Sequence, residues 1–399
     1  MDITIRTATP DDLSEIGRVD GASFGAQYSE QELSETFEGV DLERFFVACD
    51  GDAIAGIAGD YPFTMTVPGG SLEVPGVTWV SVAPTYRRRG ILRQMMEFQL
   101  HGYAERGVPV AILTASEGAI YRRFGYGAAT SIRKTVVDRR RAVLSRPADP
   151  GEVRLAKPAE ARAVLPALHE RWRAQVPGAV SRNDSWWDHL FRDREYQRGG
   201  MSGKFYLLHD EGYVAYRVKA DWGSSAPNHT CWITDYAPVT PRAHAALWQV
   251  LLGMDLFGVI ETYQIPVDDP LPFLITDYRQ VQTTAVNDGI WLRPIDVAAM
   301  LSSRTYGVEI DAVVEVTDPM FGDARYQLRG GPDGATCQRT EASIDVSLTA
   351  DALGSVYLGG NRARTLAAAG AIHADDDATL DRFDRALLAD RAPSHGTAF

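Results

Sequence analysis

Hydrophobic and polar positions in the first third of the chain form several short apolar runs and one long amphipathic stretch. The long stretch, Tyr86–Arg106, predicts a helix of roughly five or six turns. A shorter helix is predicted to open at Thr9 and Pro10. The short runs predict strands at Ile3–Arg6, Arg44–Cys49, Ala53–Gly59, Phe63–Val67, Val77–Val82 and Val110–Thr114. This order of elements predicts an α/β domain.

A second unit carries an echo of the first. Trp232–Leu252 runs through a strand, Ala-Pro, a threonine and a long helix, in the same order as Thr78–Met96. The copy has Arg242–Ala245 where the first segment has Arg87–Gly90. We therefore predict an internal repeat that kept the scaffold and lost the loop. The same unit is predicted to contain a helix at Pro158–Ala174 and a hairpin of Phe205–Leu208 with Tyr213–Val218.

After about Asp288 a run of strands precedes a run of helices, which predicts a separate α+β unit. The strands are predicted at Val308–Val316, Arg325–Arg329, Ala335–Arg339 and Ile344–Leu348, and the helices at Ala350–Leu358, Ala363–Ala369 and Ala378–Ala389. A basic connector around Arg139–Arg141 separates the first two units. The predicted domains are residues 1–140, 150–288 and 289–399, and the fold class is α/β and α+β.

Composition narrows the possible partners. The 399 residues carry a formal net charge of -13, which argues against nucleic acid or anionic lipid and favours a cationic small molecule. Cys49, Cys231 and Cys337 form no C-x-x-C pair, so neither a disulfide framework nor a zinc or other metal site is predicted. No apolar leader or long apolar run occurs. We therefore expect a cytoplasmic protein without membrane contact.

The junction between the strand Thr78–Val82 and the long helix is a candidate anion site. The N-terminus of a helix presents unpaired N–H groups and partial positive charge. Three arginines, Arg87–Arg89, would oppose that charge unless an anion neutralised them. Gly90 would let a pyrophosphate approach the backbone. The alternative is an exposed basic turn without a ligand.

Tyr121 is the second candidate. The strand before it ends at Thr114, and Ser116, Glu117 and Gly118 are predicted to cap a short helix with Tyr121 one turn inside. Its alternative interpretation is a half-buried aromatic with a hydrogen-bonded hydroxyl.

Three motifs together resemble the GNAT acetyltransferase superfamily: Val80-x-Val82, Arg87-x-x-Gly90 and Ile120-Tyr121-x-x-x-Gly125-Tyr126. The resemblance implies that the strand backbone pairs with pantetheine, the loop holds the pyrophosphate of acetyl-CoA, and Tyr121 protonates the departing thiolate. Leu92 departs from the family, whose loop usually ends in Gly or Ala. The implied cofactor-binding residues are Val80, Ser81, Val82, Arg87, Arg88, Arg89, Gly90, Ile91, Leu92, Arg93, Ser116 and Glu117.

The resemblance extends over essentially the whole chain to the Eis (enhanced intracellular survival) acetyltransferases of actinobacteria. It is carried by VAPTYRRRGILRQM, TASEGAIYRRFGYG, WRAQVPG, YVAYRV, DPLPFLITD and LGSVYLGG. It implies tandem GNAT domains, the second degenerate, followed by a sterol-carrier-protein-like domain. It also implies a homo-hexamer that acetylates amines of aminoglycosides and some lysine side chains.

The family's general base is the carboxylate of the last residue, which is Phe399 in this sequence. An α-carboxyl with a pKa of about 3.3–3.7 is a weak base, so burial must raise its pKa or it acts by orienting the ammonium. Phe24, Phe37 and Trp79 match the family's amine-binding cleft, and the alternative is that they are core residues. Thr397 and Ala398 supply no acidic neighbour to the terminus.

Two other functions compete with a small-amine acetyltransferase. One is a lipid or small-molecule binding protein that uses the C-terminal domain and keeps the GNAT domains as scaffold. The other is a lysine acetyltransferase acting on a partner protein, which the sequence does not separate from a small-amine enzyme. The intact loop and Tyr121 in the first domain, against their loss in the second, favour an enzyme.

Overall fold

The computed structural model describes residues 3–149 and 152–399. It divides into two compact units. The first unit contains the chain up to Ala129, Ile290–Ala389 and Ala398–Phe399, and the second contains Thr130–Gly289 and Asp390–Thr397. Within the described ranges, no helix is both long enough and apolar enough to span a membrane.

The strands and helices are numbered here in chain order. The strands are β1 (Ile3–Thr7), β2 (Phe45–Asp50), β3 (Ala53–Val67), β4 (Gly70–Val82), β5 (Val110–Thr114), β6 (Gly127–Ala128), β7 (Ser131–Asp138), β8 (Arg154–Ala156), β9 (Phe205–His209), β10 (Gly212–Lys219), β11 (His229–Pro238), β12 (Phe257–Ile265), β13 (Val281–Asp288), β14 (Ile290–Pro294), β15 (Ile310–Thr317), β16 (Ala324–Gly331), β17 (Gly334–Arg339), β18 (Val346–Thr349) and β19 (Ile372–Ala374). The helices are α1 (Leu13–Phe24), α2 (Glu30–Phe37), α3 (Ile91–Glu105), α4 (Gly118–Tyr121), α5 (Pro158–Arg173), α6 (Asp184–Arg192), α7 (Pro241–Leu252), α8 (Leu271–Leu274), α9 (Val297–Ser302), α10 (Ala350–Tyr357), α11 (Ala363–Ala368) and α12 (Asp377–Leu387).

A seven-stranded sheet organises the first unit, in the order β1-β2-β3-β4-β5-β14-β6. Its neighbours are antiparallel except β4 and β5, which run parallel. Helix α1 packs against β3 and β4, and its Ile16 and Val19 join Phe45 in one apolar cluster. Met96 and Leu100 of α3 belong to another cluster. Helices α1 and α3 therefore contribute side chains to the apolar clusters of this unit.

The hairpin of β3 and β4 is longer than predicted. Ala53–Gly59 and Phe63–Val67 were predicted as two strands, but β3 is continuous through Pro62, which pairs with Pro75 of β4. A proline cannot donate a hydrogen bond to a sheet, so it suits positions with a neighbour on only one side. Here β2 pairs with β3 only as far as Gly59, and β5 pairs with β4 only beyond Pro75. Neither proline therefore interrupts a second ladder.

The predicted start of the long helix at Tyr86 is wrong, because α3 begins at Ile91. Arg88 has a φ of 62° and Gly90 a φ of 81°, and residues in the left-handed region cannot continue a right-handed helix. The arginines Arg87–Arg89 therefore lie in a loop before the helix rather than in its first turn.

A second seven-stranded sheet, ordered β13-β7-β12-β11-β10-β9-β8, organises the second unit. Strands β11 and β12 are parallel, as β4 and β5 are in the first sheet, and α7 connects them as α3 connects β4 and β5. The predicted repeat of the scaffold is confirmed. The loop differs as predicted, because Thr240 caps α7 directly and Pro241 is its first residue.

The sheets do not follow the predicted domain limits. Strand β7 lies within the predicted first domain, 1–140, yet it pairs with β12 and β13 in the second sheet. Strand β14 lies beyond the predicted limit at 288, yet it pairs with β5 and β6 in the first sheet. Pairing partners this distant in sequence leave no local signal, so limits drawn from local patterns miss the exchange.

A five-stranded sheet, ordered β17-β16-β15-β18-β19, forms the C-terminal part of the first unit. Its predicted strands and helices are present near their predicted bounds. The sequence-based prediction omitted β19 and α9, which are short. The α+β character predicted for this part is observed.

Candidate active site

The candidate site begins where β4 and β5 separate. The two strands pair only through Gly76 with Ile112 and Val77 with Leu113. Strand β4 then continues to Val82 beside β3, and within the described ranges no strand pairs with its other edge. That edge can therefore hydrogen-bond an extended ligand.

A bulge redirects β4 at this point. Trp79 and Val80 together face Ala58 of β3, between the pairs formed by Thr78 and by Ser81. Trp79 has a φ of 55°, which is uncommon for a bulky residue. Bulges often re-aim side chains next to functional sites.

The loop of Arg87–Arg89 and Gly90 is exposed at the N-terminus of α3. The Arg87 guanidinium donates to the Ser23 carbonyl at 3.2 Å, and that of Arg89 lies 5.4 Å from the centre of the Tyr86 ring. Among the described residues, no carboxylate forms an ion pair with any of the three arginines. The positive charge of this loop is therefore available to an anion.

Backbone N–H groups add to that charge. Helix α3 has no side-chain N-cap, so the N–H groups of its first turn lack an intrahelical or capping acceptor. Gly90 provides the left-handed turn, and a Cβ built there would have no protein atom within 4 Å. The loop can therefore admit a pyrophosphate, and its residues fit the phosphates of acetyl-CoA.

The other implied cofactor residues differ in what they offer. Val80, Val82 and Leu92 are partly buried and pack with the buried Ile91 in one apolar cluster, so their polar groups for a ligand are those of the backbone. The side chain of Leu92, the position at which the sequence departs from the family, packs in part against this cluster. Arg93 is exposed and pairs with Glu97 at 2.7 Å.

Tyr121 ends the short helix α4 and is buried. Its ring lies 5.9 Å from that of Tyr126, and no described residue hydrogen-bonds to its hydroxyl. Burial and the nearby charge of Glu117 raise the pKa of Tyr121 to about 12. Ser116 and Glu117 are exposed, and α4 has no side-chain cap, so the predicted cap is absent. A protonated phenol suits a proton donor.

Phe399 lies at the end of β5. The Thr114 hydroxyl donates to the main-chain oxygen of Phe399 at 2.8 Å, and the rings of Phe399 and Phe63 are 4.9 Å apart. A Cβ at Gly76 would come within 2.9 Å of the Phe399 ring, so this glycine makes room for it. Phe399 therefore contacts β3, β4 and β5 where β4 and β5 separate.

Two of the three residues predicted to line the amine-binding cleft are in contact. The rings of Phe37 and Trp79 are 4.8 Å apart, and the Trp79 indole donates to the Tyr61 hydroxyl at 3.2 Å. Phe37 is buried and forms part of the core. Phe24 is exposed at the end of α1, and none of the described ring contacts joins it to the other two.

Sequence reasoning missed an acid beside these aromatics. Asp20 is buried in α1 and accepts a hydrogen bond from the Tyr28 hydroxyl at 3.0 Å, while the Tyr28 ring lies 6.1 Å from that of Trp79. Burial raises the pKa of Asp20. The available signal was its spacing: Asp20 falls four positions after Ile16, on the apolar face of α1.

The described residues contain no group of three or more His, Cys, Asp or Glu placed to hold a metal ion.

Family models match three consecutive segments. Acetyltransferase (GNAT) domain models match residues 4–129 and 178–294, and a sterol carrier protein domain model matches residues 297–395. The predicted fold class is therefore confirmed: two GNAT domains are followed by a sterol-carrier-type domain.

Similarity to individual proteins covers nearly the whole chain. The N-acetyltransferase Eis of Mycobacterium tuberculosis is 38% identical over 403 residues, covering 98% of this chain and 98% of the relative. An uncharacterized N-acetyltransferase of Streptomyces avermitilis is 39% identical over 353 residues, covering 86% of each. The crystal structure of Eis1 from Mycobacterium abscessus has a TM-score of 0.88 at 34% identity, covering 100% of both chains.

Proposed function

The chain belongs to the Eis family of N-acetyltransferases, and on this premise we propose that it acetylates primary amines where β4 and β5 separate. The observation that carries the proposal is the position of Phe399, which contacts all three strands at that point. The acceptor would be an aminoglycoside-type polyamine, a lysine side chain or both.

Acetyl-CoA would supply the acetyl group as a thioester. The loop Arg87–Gly90 and the first N–H groups of α3 would hold its phosphates, since the arginines have no acidic partner among the described residues. The free edge of β4 beyond Val77 would hydrogen-bond the pantetheine amides. These groups bind and orient the donor.

The transfer needs one group that accepts a proton and one that donates a proton. The amine nitrogen bonds to the acetyl carbon as the carbon–sulfur bond breaks. The carboxylate of Phe399 takes the proton that the amine loses, and the Tyr121 phenol gives its proton to the sulfur. The raised pKa of Tyr121 keeps the phenol protonated at neutral pH, as a donor requires.

The amine substrate would bind beside Trp79 and Tyr28, with the buried acid Asp20 next to them. Trp79 and Tyr28 would pack against the amine-bearing substrate, and a cationic group near aromatic faces is stabilised. The net charge of -13 also favours a cationic acceptor. A homo-hexamer stays a prediction of the family resemblance, and a cytoplasmic location stays a prediction from the sequence.

The test is thiol release from acetyl-CoA with aminoglycosides, linear polyamines and lysine peptides as acceptors. We expect release above hydrolysis with at least one class. One glycine added after Phe399 should lower that release strongly, because it moves the carboxylate away from Thr114. If no acceptor gives release above hydrolysis, or if the added glycine changes nothing, the proposal fails.

A further inference from the structure

The last residues of the second unit form a tail that lies against the segment ending at Arg182. The Ser394 amide donates to the Pro177 carbonyl at 2.9 Å, and the Val180 amide donates to the His395 carbonyl at 3.4 Å. The tail is therefore held by backbone hydrogen bonds before its side chains are considered.

The Arg182 guanidinium donates two hydrogen bonds to this tail. Its Nε donates to the Thr397 hydroxyl at 2.9 Å, and Nη2 donates to the Gly396 carbonyl at 2.8 Å. Asp235 accepts from the same guanidinium at 2.6 Å and 3.2 Å, and the Trp187 ring lies 4.9 Å from it. The Arg182 side chain is 4% exposed, so these partners satisfy a charge removed from water.

The residues that contact Arg182 and the tail include residues of β11 and β12, the two strands that separate in the second sheet. Strands β11 and β12 pair as far as Ile233 and Thr262 and not beyond. Asp235 lies beyond that point on β11, and Gln264 lies beyond it on β12. Gln264 Nε2 and His395 Nε2 are 3.3 Å apart. Both separating strands therefore contribute to holding the tail.

The internal repeat relates Asp235 in β11 to a residue of β4 in the first domain. Matching Ala83 with Ala237 puts Asp235 at the position of Ser81, on the strand that is proposed to bind the donor in the first domain. A buried ion pair is weak evidence for stability but can fix a geometry. Burial alone would raise the pKa of Asp235, yet the Arg182 charge holds that pKa below its ordinary value, so the pair stays ionised.

We propose that Arg182 is a positioning residue for acetyl transfer. By hydrogen-bonding Gly396 and Thr397 beside the place where β11 and β12 separate, it limits the positions that Phe399 can reach. Phe399 follows Thr397 by two residues, and two extended residues span at most roughly 7 Å. The proposal rests on the proposed function, because it gives Arg182 a kinetic role only through the Phe399 carboxylate.

The experiment measures kcat and KM of the full chain for Arg182→Met, for one glycine added after Phe399, and for the two changes combined. We expect Arg182→Met to lower kcat roughly tenfold to a hundredfold, since misplacement by about 1 Å can have that effect. KM for acetyl-CoA should stay unchanged, because the donor loop is untouched. In the extended chain Arg182→Met should cause little further loss, since both changes act through one carboxylate.

Three further variants separate positioning from folding. Arg182→Lys keeps the charge beside Asp235 and should recover part of kcat, but it cannot make the bidentate contact. Arg182→Met with Asp235→Leu removes both charges, so no unpaired charge stays buried, and it should still lose kcat while melting near wild type. Arg162→Met breaks exposed ion pairs with Asp184 and Asp188 in the same unit and should behave as wild type.

The proposal is overturned if Arg182→Met keeps the wild-type kcat, if its loss multiplies with that of the extension, or if KM for acetyl-CoA rises in parallel. An extension that leaves kcat unchanged refutes the role of Phe399 itself, whatever Arg182 does. The two failures are therefore distinguishable.

Discussion

The two GNAT repeats share a framework and differ at one junction. In the first, β4 leads into an exposed loop, and α3 starts after Gly90 without a side-chain cap. In the second, β11 leads directly into α7, where the Thr240 hydroxyl accepts from the Ala243 amide. A helix that caps itself has used part of its anion-binding capacity, whereas α3 leaves its N–H groups to a ligand. On the proposed function, the first repeat would therefore carry out the transfer and the second would support it.

The largest expected effect is on proton donation in the first repeat. Tyr121→Phe should lower kcat by roughly 10²–10⁴-fold, the usual contribution of a general acid. Tyr126→Phe is a matched control, because the Tyr126 hydroxyl is buried without a hydrogen-bond partner among the described residues. Stopped assays of thiol release give both values. Equal kcat for the two variants would remove Tyr121 from the mechanism.

The next effect concerns the stability of the second repeat. Burial lowers the pKa of His169 and of His395 from 6.5 to about 4. The unfolded state therefore binds more protons between pH 6.5 and 4, so stability falls as the pH falls through this window. The loss approaches about 3 kcal/mol for each histidine at full protonation. Unfolding in urea at several pH values measures it.

A substitution isolates one of these histidines. His169→Phe should flatten part of the decline below pH 6.5, because the phenyl ring can replace the imidazole against Trp172 and Trp187 without a proton to bind. A His169→Phe profile that overlays the wild type would contradict the assignment.

A smaller effect tests the loop. Gly90→Ala places a side chain at a φ of 81°, which costs about 1–2 kcal/mol, and should raise KM for acetyl-CoA roughly tenfold. Gly107→Ala is the control at the other end of α3, with a φ of 68° and equally open space. The two variants should lose similar stability, and only Gly90→Ala should change KM. A parallel rise in both would trace the effect to stability alone.

The smallest effect lies at the matching junction of the second repeat. Thr240→Ala removes the cap of α7 and should lower the free energy of unfolding by about 1 kcal/mol. Kinetic constants for acetyl-CoA should not change, since we assign no donor to this helix. Thermal melting and steady-state kinetics on one preparation check both statements, and an altered KM would argue against them.

Local patterns in the sequence predicted the frame and the motifs, but not how distant segments meet. Arg87–Gly90 and Tyr121 were recognisable because each motif is continuous in sequence. The start of α3 was misplaced because the left-handed conformation of Arg88 has no sequence signal. The exchange of β7 and β14 was not predictable from periodicity.

The contacts of the C-terminal residues were also not predictable from local sequence patterns. Phe399 became a candidate only through family resemblance, since nothing in the residues near it points to a site. Its contact with Thr114 and the contact of Arg182 with Thr397 join positions more than two hundred residues apart. Asp20 was predictable in part, because a charged residue on an apolar helix face indicates a special environment.

Only the first repeat is expected to bind acetyl-CoA, through its arginine loop. Calorimetric titration of acetyl-CoA into the wild type and into a variant with Arg87, Arg88 and Arg89 all changed to Gln tests it directly. We expect one site per chain in the wild type and an affinity at least roughly tenfold weaker in the variant, since a single charged hydrogen bond contributes about 1.5–3 kcal/mol. Two sites per chain, or unchanged affinity in the variant, would contradict it.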